Sequence, residues 1–198
     1  MVLILRAGDR VAVPWKNGGG LTREIAIHPP GSDLGSFDWR VSIAEVHGAG
    51  PFSSFPGVDR QMAVLDGRLL LAIEGHDTVS LSPESSPVRF AGDARTFAQP
   101  VEGPVTDLNV MTRRGRFRTR LARRPLRHSR RLALRADTTL IIALSELTLR
   151  TAGADSTLSR LDAVRFDGAV QCEVVAATMG TTGAPAGASF YLAEIAAS

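Results

Sequence analysis

Apolar residues almost never recur at helical spacing in this chain. What recurs is two-residue alternation, cut short by Gly, Pro, Asp and Ser. A period of two is what a half-buried strand requires. Trp39, Val41 and Ile43 alternate with Arg40, Ser42 and Ala44, and Met62 and Val64 with Gln61, Ala63 and Leu65. Asp66-Gly67 leads straight into Leu69–Ile73, and Asp167-Gly168 separates Val164–Phe166 from Ala169–Val175. An Asp-Gly pair between apolar runs predicts a two-residue hairpin, because the central residues of that turn need positive φ. Pro29–Ser32, Ser82–Pro87 and Gly180–Gly187 read as loops. Short strands separated by turn signals predict an all-β chain, either a sandwich or a barrel.

A faint echo divides the chain. LLLAIEG at 69–75 is followed by VRFAGDA at 88–94, and LIIALSE at 140–146 by AVRFDGA at 163–169. The spacing from apolar run to VRF is 19 residues in the first copy and 24 in the second. That predicts two related β-units joined across an Arg-rich stretch. No apolar run approaches the ~18 residues of a membrane span. The start, MVLILRAGDR, lacks a basic region before its apolar residues and a cleavage site after them, so a cytoplasmic, unprocessed protein is expected. The one cysteine, Cys172, excludes an intramolecular disulfide and reads as a buried thiol in a strand.

Charge is unevenly spread. Eleven of the 23 basic residues lie in 113–135 with no acid among them, leaving 12 basic against 20 acidic residues elsewhere. Arg116, Arg118 and Arg120 alternate with Phe117, Thr119 and Leu121, which predicts a half-buried strand with a basic outer face. Arg123-Arg124-Pro125 is expected to end it, with Arg127, Arg130 and Arg131 in a linker. Binding of nucleic acid or of an acidic partner is the functional alternative, with the guanidinium groups neutralising phosphates. Phe117 is the one aromatic in the run, which provides poorly for base stacking, so nucleic acid is disfavoured as a partner.

Three stretches could carry chemistry. In Trp15-Lys16-Asn17-Gly18-Gly19-Gly20, the chain's single Lys lies between a Trp and a glycine run whose spacing is not that of a phosphate loop. The bland alternative is a tight turn with a solvated Lys. In Gly50–Gln61, Pro and Gly fix a loop that Phe52 and Phe55 can anchor. Arg60 then opens a strand, where it could take a carboxylate or simply form a surface turn with Asp59. The third is Phe90-Ala91-Gly92-Asp93 with Asp107–Arg114 after it, where Asp107, Asn109 and Met111 share one strand face. Buried there, the polar pair would have to be partnered or serve a ligand.

WKNGGG, DWRVSIAEV, GPFSSFPGVDR and DLNVMTRR, in this order and spacing, resemble the HutD/Ves family of cupin-like proteins, most closely over residues 1–114. The resemblance implies an all-β bicupin, two small antiparallel β-barrels of jelly-roll type. Residues 1–114 would form the barrel carrying the motifs, and 115–198 a degenerate second barrel. It also implies a link to histidine utilisation, where a family member is thought to bind pathway metabolites and restrain the pathway. The partner expected here is a small anionic metabolite such as urocanate or an N-formylated glutamate. Arg60 would clamp its carboxylate, with Lys16 and Asn17 at the cavity mouth, Trp15 and Phe52 as apolar walls, and Asp107 and Asn109 in support.

Metal-dependent cupins use closely spaced His and Glu ligands, whereas His28, His47, His76 and His128 are isolated and Phe52, Ser53 and Phe55 stand where a His pair would fall. Glu45 and His47 share a strand face but read as a solvated pair. The expectation is therefore no metal and no cofactor, with an enzyme the less favoured reading. An isomerase or epimerase using Lys16, Glu24 or His47 as acid and base remains the alternative. A homodimer is left open.

Overall fold

A computed structural model describes residues 1–177 and 188–198. The Gly180–Gly187 loop expectation lies outside the described residues. Among the described residues, seventeen strands and one three-residue 3-10 turn (Ala7–Asp9) make up the regular structure, so the all-β expectation holds. No described helix is long and apolar enough to cross a membrane.

The chain divides into two units, Arg10–Thr119 with Ser198, and Met1–Asp9 with Arg120–Ala197. The division differs from the 114/115 boundary chiefly at the N-terminus. Val2–Leu5 pairs antiparallel with Ala163–Asp167. Asp162, nearly buried, accepts from Arg6 Nη1 at 2.7 Å and from the Ala7 and Ser159 amides at 2.7 and 3.0 Å. A carboxylate held by three donors fixes the first nine residues to the later unit, a long-range partnership that local pattern cannot announce.

In the Met1–Asp9/Arg120–Ala197 unit, a five-stranded and a four-stranded sheet bury their inner faces in one core. Ile141, Val164, Phe166 and Phe190 come from the first sheet, and Leu147, Leu149, Cys172 and Val174 from the second. Burial pushes the Cys172 thiol up to about 11, as fits an inert core thiol. Ser129–Leu134 is not a linker but an edge strand paired with Val170–Ala176, and Phe117–Pro125 continues through Arg123 and Arg124. Charge is tolerated on an edge strand because one side of it meets water. The second copy of the echo carries two strands, Leu147–Arg150 and Asp155–Leu158, where the first carries Val79–Leu81 alone. That accounts for its wider spacing.

The Arg10–Thr119 unit is one eight-stranded sheet. Its spine is the pair Val58–Ile73 and Thr96–Arg113, of 16 and 18 residues. Neither Asp-Gly pair is a hairpin. Asp66-Gly67 lies inside the Val58–Ile73 strand, where the register slips on both sides of Asp66. Gly67 has φ of 81° and a Cβ there would meet the Pro104 carbonyl at 2.8 Å, so glycine serves a bulge and not a chain reversal. Asp167-Gly168 joins strands that belong to different sheets. Strands pair antiparallel throughout this sheet, and among the described residues no sheet closes on itself. A bulged, bent spine wraps a core without closure, as in a jelly roll.

Candidate functional site

A cavity of about 740 Å³ opens in the Arg10–Thr119 unit. Strand register builds its floor. Ala44, Ser42 and Arg40 lie opposite Asp107, Asn109 and Met111. On the flanking strands, Thr22 and Glu24 lie opposite Ala44 and Ser42, and Arg60 opposite Met111. Side chains two apart in a strand share a face, and all of these line the cavity. The polar half of the Trp39–Ala44 alternation therefore faces the cavity, not solvent.

The 50–57 segment forms a wall, held where the Phe52 amide donates to Thr96 O at 2.9 Å and the Phe55 amide to Gly92 O at 2.8 Å. Trp15 donates from Nε1 to Thr22 Oγ1 at 2.8 Å, and its ring meets Phe52 edge-on with centroids 6.3 Å apart. Val13, Lys16, Asn17 and Leu34 complete the rim.

Arg60 dominates the interior. It is 4% exposed, so the surface-turn alternative is set aside; Asp59 pairs with Arg114 instead, at 2.9 Å. The guanidinium carbon stands 5.1, 5.7 and 4.9 Å from the ring centroids of Phe52, Phe55 and Phe90, a cage that favours a cation. Arg60 Nη2 donates to Asn109 Oδ1 at 2.8 Å, and Asn109 Nδ2 donates to Asp107 Oδ1. Arg60 Nε and Asp107 Oδ2 are buried with no hydrogen-bond partner within the protein. Burial lowers the Arg60 pKa to about 10, countered by Asp107 and reinforced by Arg40, so Arg60 stays charged at neutral pH. Burial raises the Asp107 carboxyl to about 7 despite the pull of Arg60.

That elevation has a consequence for stability. The folded chain keeps a proton on Asp107 that the unfolded chain, with an ordinary value of 3.8, releases. Asp107's contribution is therefore greatest below pH 4, declines as pH rises to about 7 and is flat above. Asp107→Asn is expected to gain on wild type by on the order of 2 kcal/mol between pH 5 and pH 8. Paired denaturant melts at the two values check this; a difference that does not change with pH refutes it.

All seven residues expected at the site, Trp15, Lys16, Asn17, Phe52, Arg60, Asp107 and Asn109, line this one cavity. Asn17 Oδ1 is already engaged, accepting from the Gly19 amide at 3.1 Å, so Asn17 shapes the turn. Lys16 is exposed at the rim. The acid–base alternative is only half assembled. Glu24 lines the cavity but pairs with Arg40 at 2.8 Å, whereas His47 does not line it and lies 3.5 Å from Glu45, itself bound to Arg23. Among the described residues no group of three or more His, Cys, Asp and Glu is placed to hold a metal ion. Arg40 and Ser42 are not among the site residues expected from sequence, where the Phe90–Asp93 stretch stands out but not the place of the Phe90 ring against Arg60. Arg40 and Ser42 sit on the polar side of an alternation that ordinarily means solvent, and nothing local marks Phe90 as a platform for a buried cation.

The family model described as HutD matches residues 7–182. An uncharacterized 21.2 kDa protein of the hutC 3' region in Pseudomonas putida is 34% identical over 168 residues, 83% of this chain and 86% of that one. Protein Ves of Citrobacter koseri is 41% identical over 109 residues, 54% of this chain and 56% of that protein. Among solved structures, HutD from Pseudomonas fluorescens SBW25 superposes with a TM-score of 0.82 at 29% identity, covering 100% of both chains. A cupin 2 conserved barrel domain protein from Leptotrichia buccalis, 10% identical, superposes with a TM-score of 0.59 over 94% of this chain and 92% of that one. That likeness shows the cupin fold alone.

Proposed function

The chain belongs to the HutD family, and from that premise we propose that its Arg10–Thr119 unit binds a small carboxylate-bearing metabolite of histidine breakdown, as a sensor that regulates histidine utilisation. One observation carries the reading. Arg60 is a buried cation facing a cavity, with an Nε that bonds to nothing in the protein and no ion pair with its acidic neighbour Asp107. A desolvated guanidinium with donors to spare is costly unless an anion completes it, and its planar fork matches a carboxylate. The walls suit a flat or short carbon frame, since Phe52 and Phe55 present aromatic surface to Arg60 and Trp15 packs edge-on against Phe52. Urocanate and N-formylglutamate both meet these demands.

Thermal melts of the full chain with each compound, in the presence of a chelator, test the proposal. A ligand at a hundred times its Kd stabilises by about 2.7 kcal/mol, which raises the midpoint of a chain this size by roughly 5–10 °C. Such a rise for either compound supports the reading. No rise for both refutes it. Slow loss of urocanate's ultraviolet absorbance over hours would replace the sensor with an enzyme, using groups such as Asp107 and Lys16 at the same cavity.

A further inference from the structure

We propose that Asp107 is a specificity-determining residue: the cavity selects ligands carrying, besides the carboxylate that Arg60 takes, an N–H group that Asp107 Oδ2 accepts. The inference rests on the carboxylate-binding reading and deepens it. It follows from how three side chains divide the floor. Asn109 stands between the guanidinium and the carboxyl, giving its Oδ1 to Arg60 Nη2 and its Nδ2 to Asp107 Oδ1. The guanidinium and the carboxyl are thereby held near each other without forming an ion pair, and each keeps one buried atom unbonded, Nε on Arg60 and Oδ2 on Asp107.

Had the two groups served only to neutralise one another, direct contact would have satisfied both and left nothing over. Instead the amide of Asn109 spaces them into a donor position and an acceptor position, side by side on neighbouring strands. Asn109 itself is fixed by its register opposite Ser42 and Met62. A ligand with only a carboxylate answers the donor and leaves Asp107 Oδ2 unpaired behind it, cut off from water. A ligand that also bears an imidazole or formamide N–H answers both. A site built to hydrogen-bond a polar group rejects the analogue lacking it far more strongly than an apolar wall rejects a change of shape.

Two pairs of probes differ in this feature while keeping the carboxylate: urocanate against cinnamate, and N-formylglutamate against glutarate. Titration calorimetry on the full wild-type chain at pH 8, where Asp107 is ionised, is expected to show at least one pair in which the N–H-bearing member binds about tenfold tighter or more. Asp107→Leu, which removes the acceptor, is expected to bind both members of that pair alike, near the wild-type affinity for the poorer one. Equal binding within both pairs by wild type overturns the inference while leaving the carboxylate-binding reading standing. So does a preference that survives in Asp107→Leu. Failure of all four compounds to bind overturns both together. Because the wild-type comparison needs no variant, the inference remains open to refutation even if Asp107→Leu does not fold.

Discussion

Arg60→Ala is expected to weaken binding of urocanate or N-formylglutamate by about 2–5 kcal/mol, at least thirtyfold. The size follows from burial. A charged pair at a wetted rim is worth under about 1 kcal/mol, but Arg60 is 4% exposed and ringed by Phe52, Phe55 and Phe90, so its contact with a carboxylate is made out of water. Arg60→Met separates binding from folding. It fills most of the same volume with an apolar chain and removes a guanidinium whose desolvation is only partly offset by one hydrogen bond to Asn109 and by Asp107 at a distance. Replacing buried charge by apolar volume is often neutral or stabilising, so Arg60→Met is expected to melt no lower than wild type while binding as poorly as Arg60→Ala. Affinity within twofold of wild type in both variants would remove Arg60 from the site. A large loss of stability in Arg60→Met would make it a structural strut instead.

The same residue shows how far the sequence can be read. Its neighbours, a loop fixed by Pro and Gly and ending in Asp59-Arg60, fit a surface turn as well as a buried site, and burial alone decides between them. Asp107 and Asn109 were legible, because two residues apart in a strand must share a face. That Ala44, Ser42 and Arg40 face them was not, since it depends on the register between distant strands. The Asp-Gly signals failed for a related reason. Positive φ is what such a pair supplies, and a bulge inside Val58–Ile73 uses it as readily as a hairpin does. The sign of the curvature was local, whereas its use was set by the Thr96–Arg113 partner. The family motifs carried the rest of the site, because they record which polar residues converge without stating how.

Within the three glycines at 18–20 the demands differ sharply, and so should the effects of replacing them. Gly18 closes a turn on Trp15 with φ of 71°, and open space surrounds its Cβ position. Gly18→Ala is expected to cost about 1–2 kcal/mol for the left-handed backbone alone. At Gly19 φ is ordinary and a Cβ would meet only the Asn17 side chain at 3.4 Å, so Gly19→Ala should lie within about 0.5 kcal/mol of wild type. Gly20 is different in kind. A Cβ there would stand 2.2 Å from the Glu45 carbonyl oxygen and 3.2 Å from the Trp15 ring. The carbonyl belongs to the strand with which Gly20 pairs, at Val46, and cannot retreat without opening the sheet. Overpacking against backbone is therefore expected to cost Gly20→Ala roughly 3 kcal/mol, lowering the midpoint by about 6–12 °C. It should also displace Trp15 from Thr22 and Phe52, so urocanate binding falls with it. Melts of the three single variants give the order Gly19→Ala, Gly18→Ala, Gly20→Ala from most to least stable. If Gly20→Ala matches Gly19→Ala, close approach of the strands is not what the motif provides, and the placement of Trp15 over the cavity loses its structural basis.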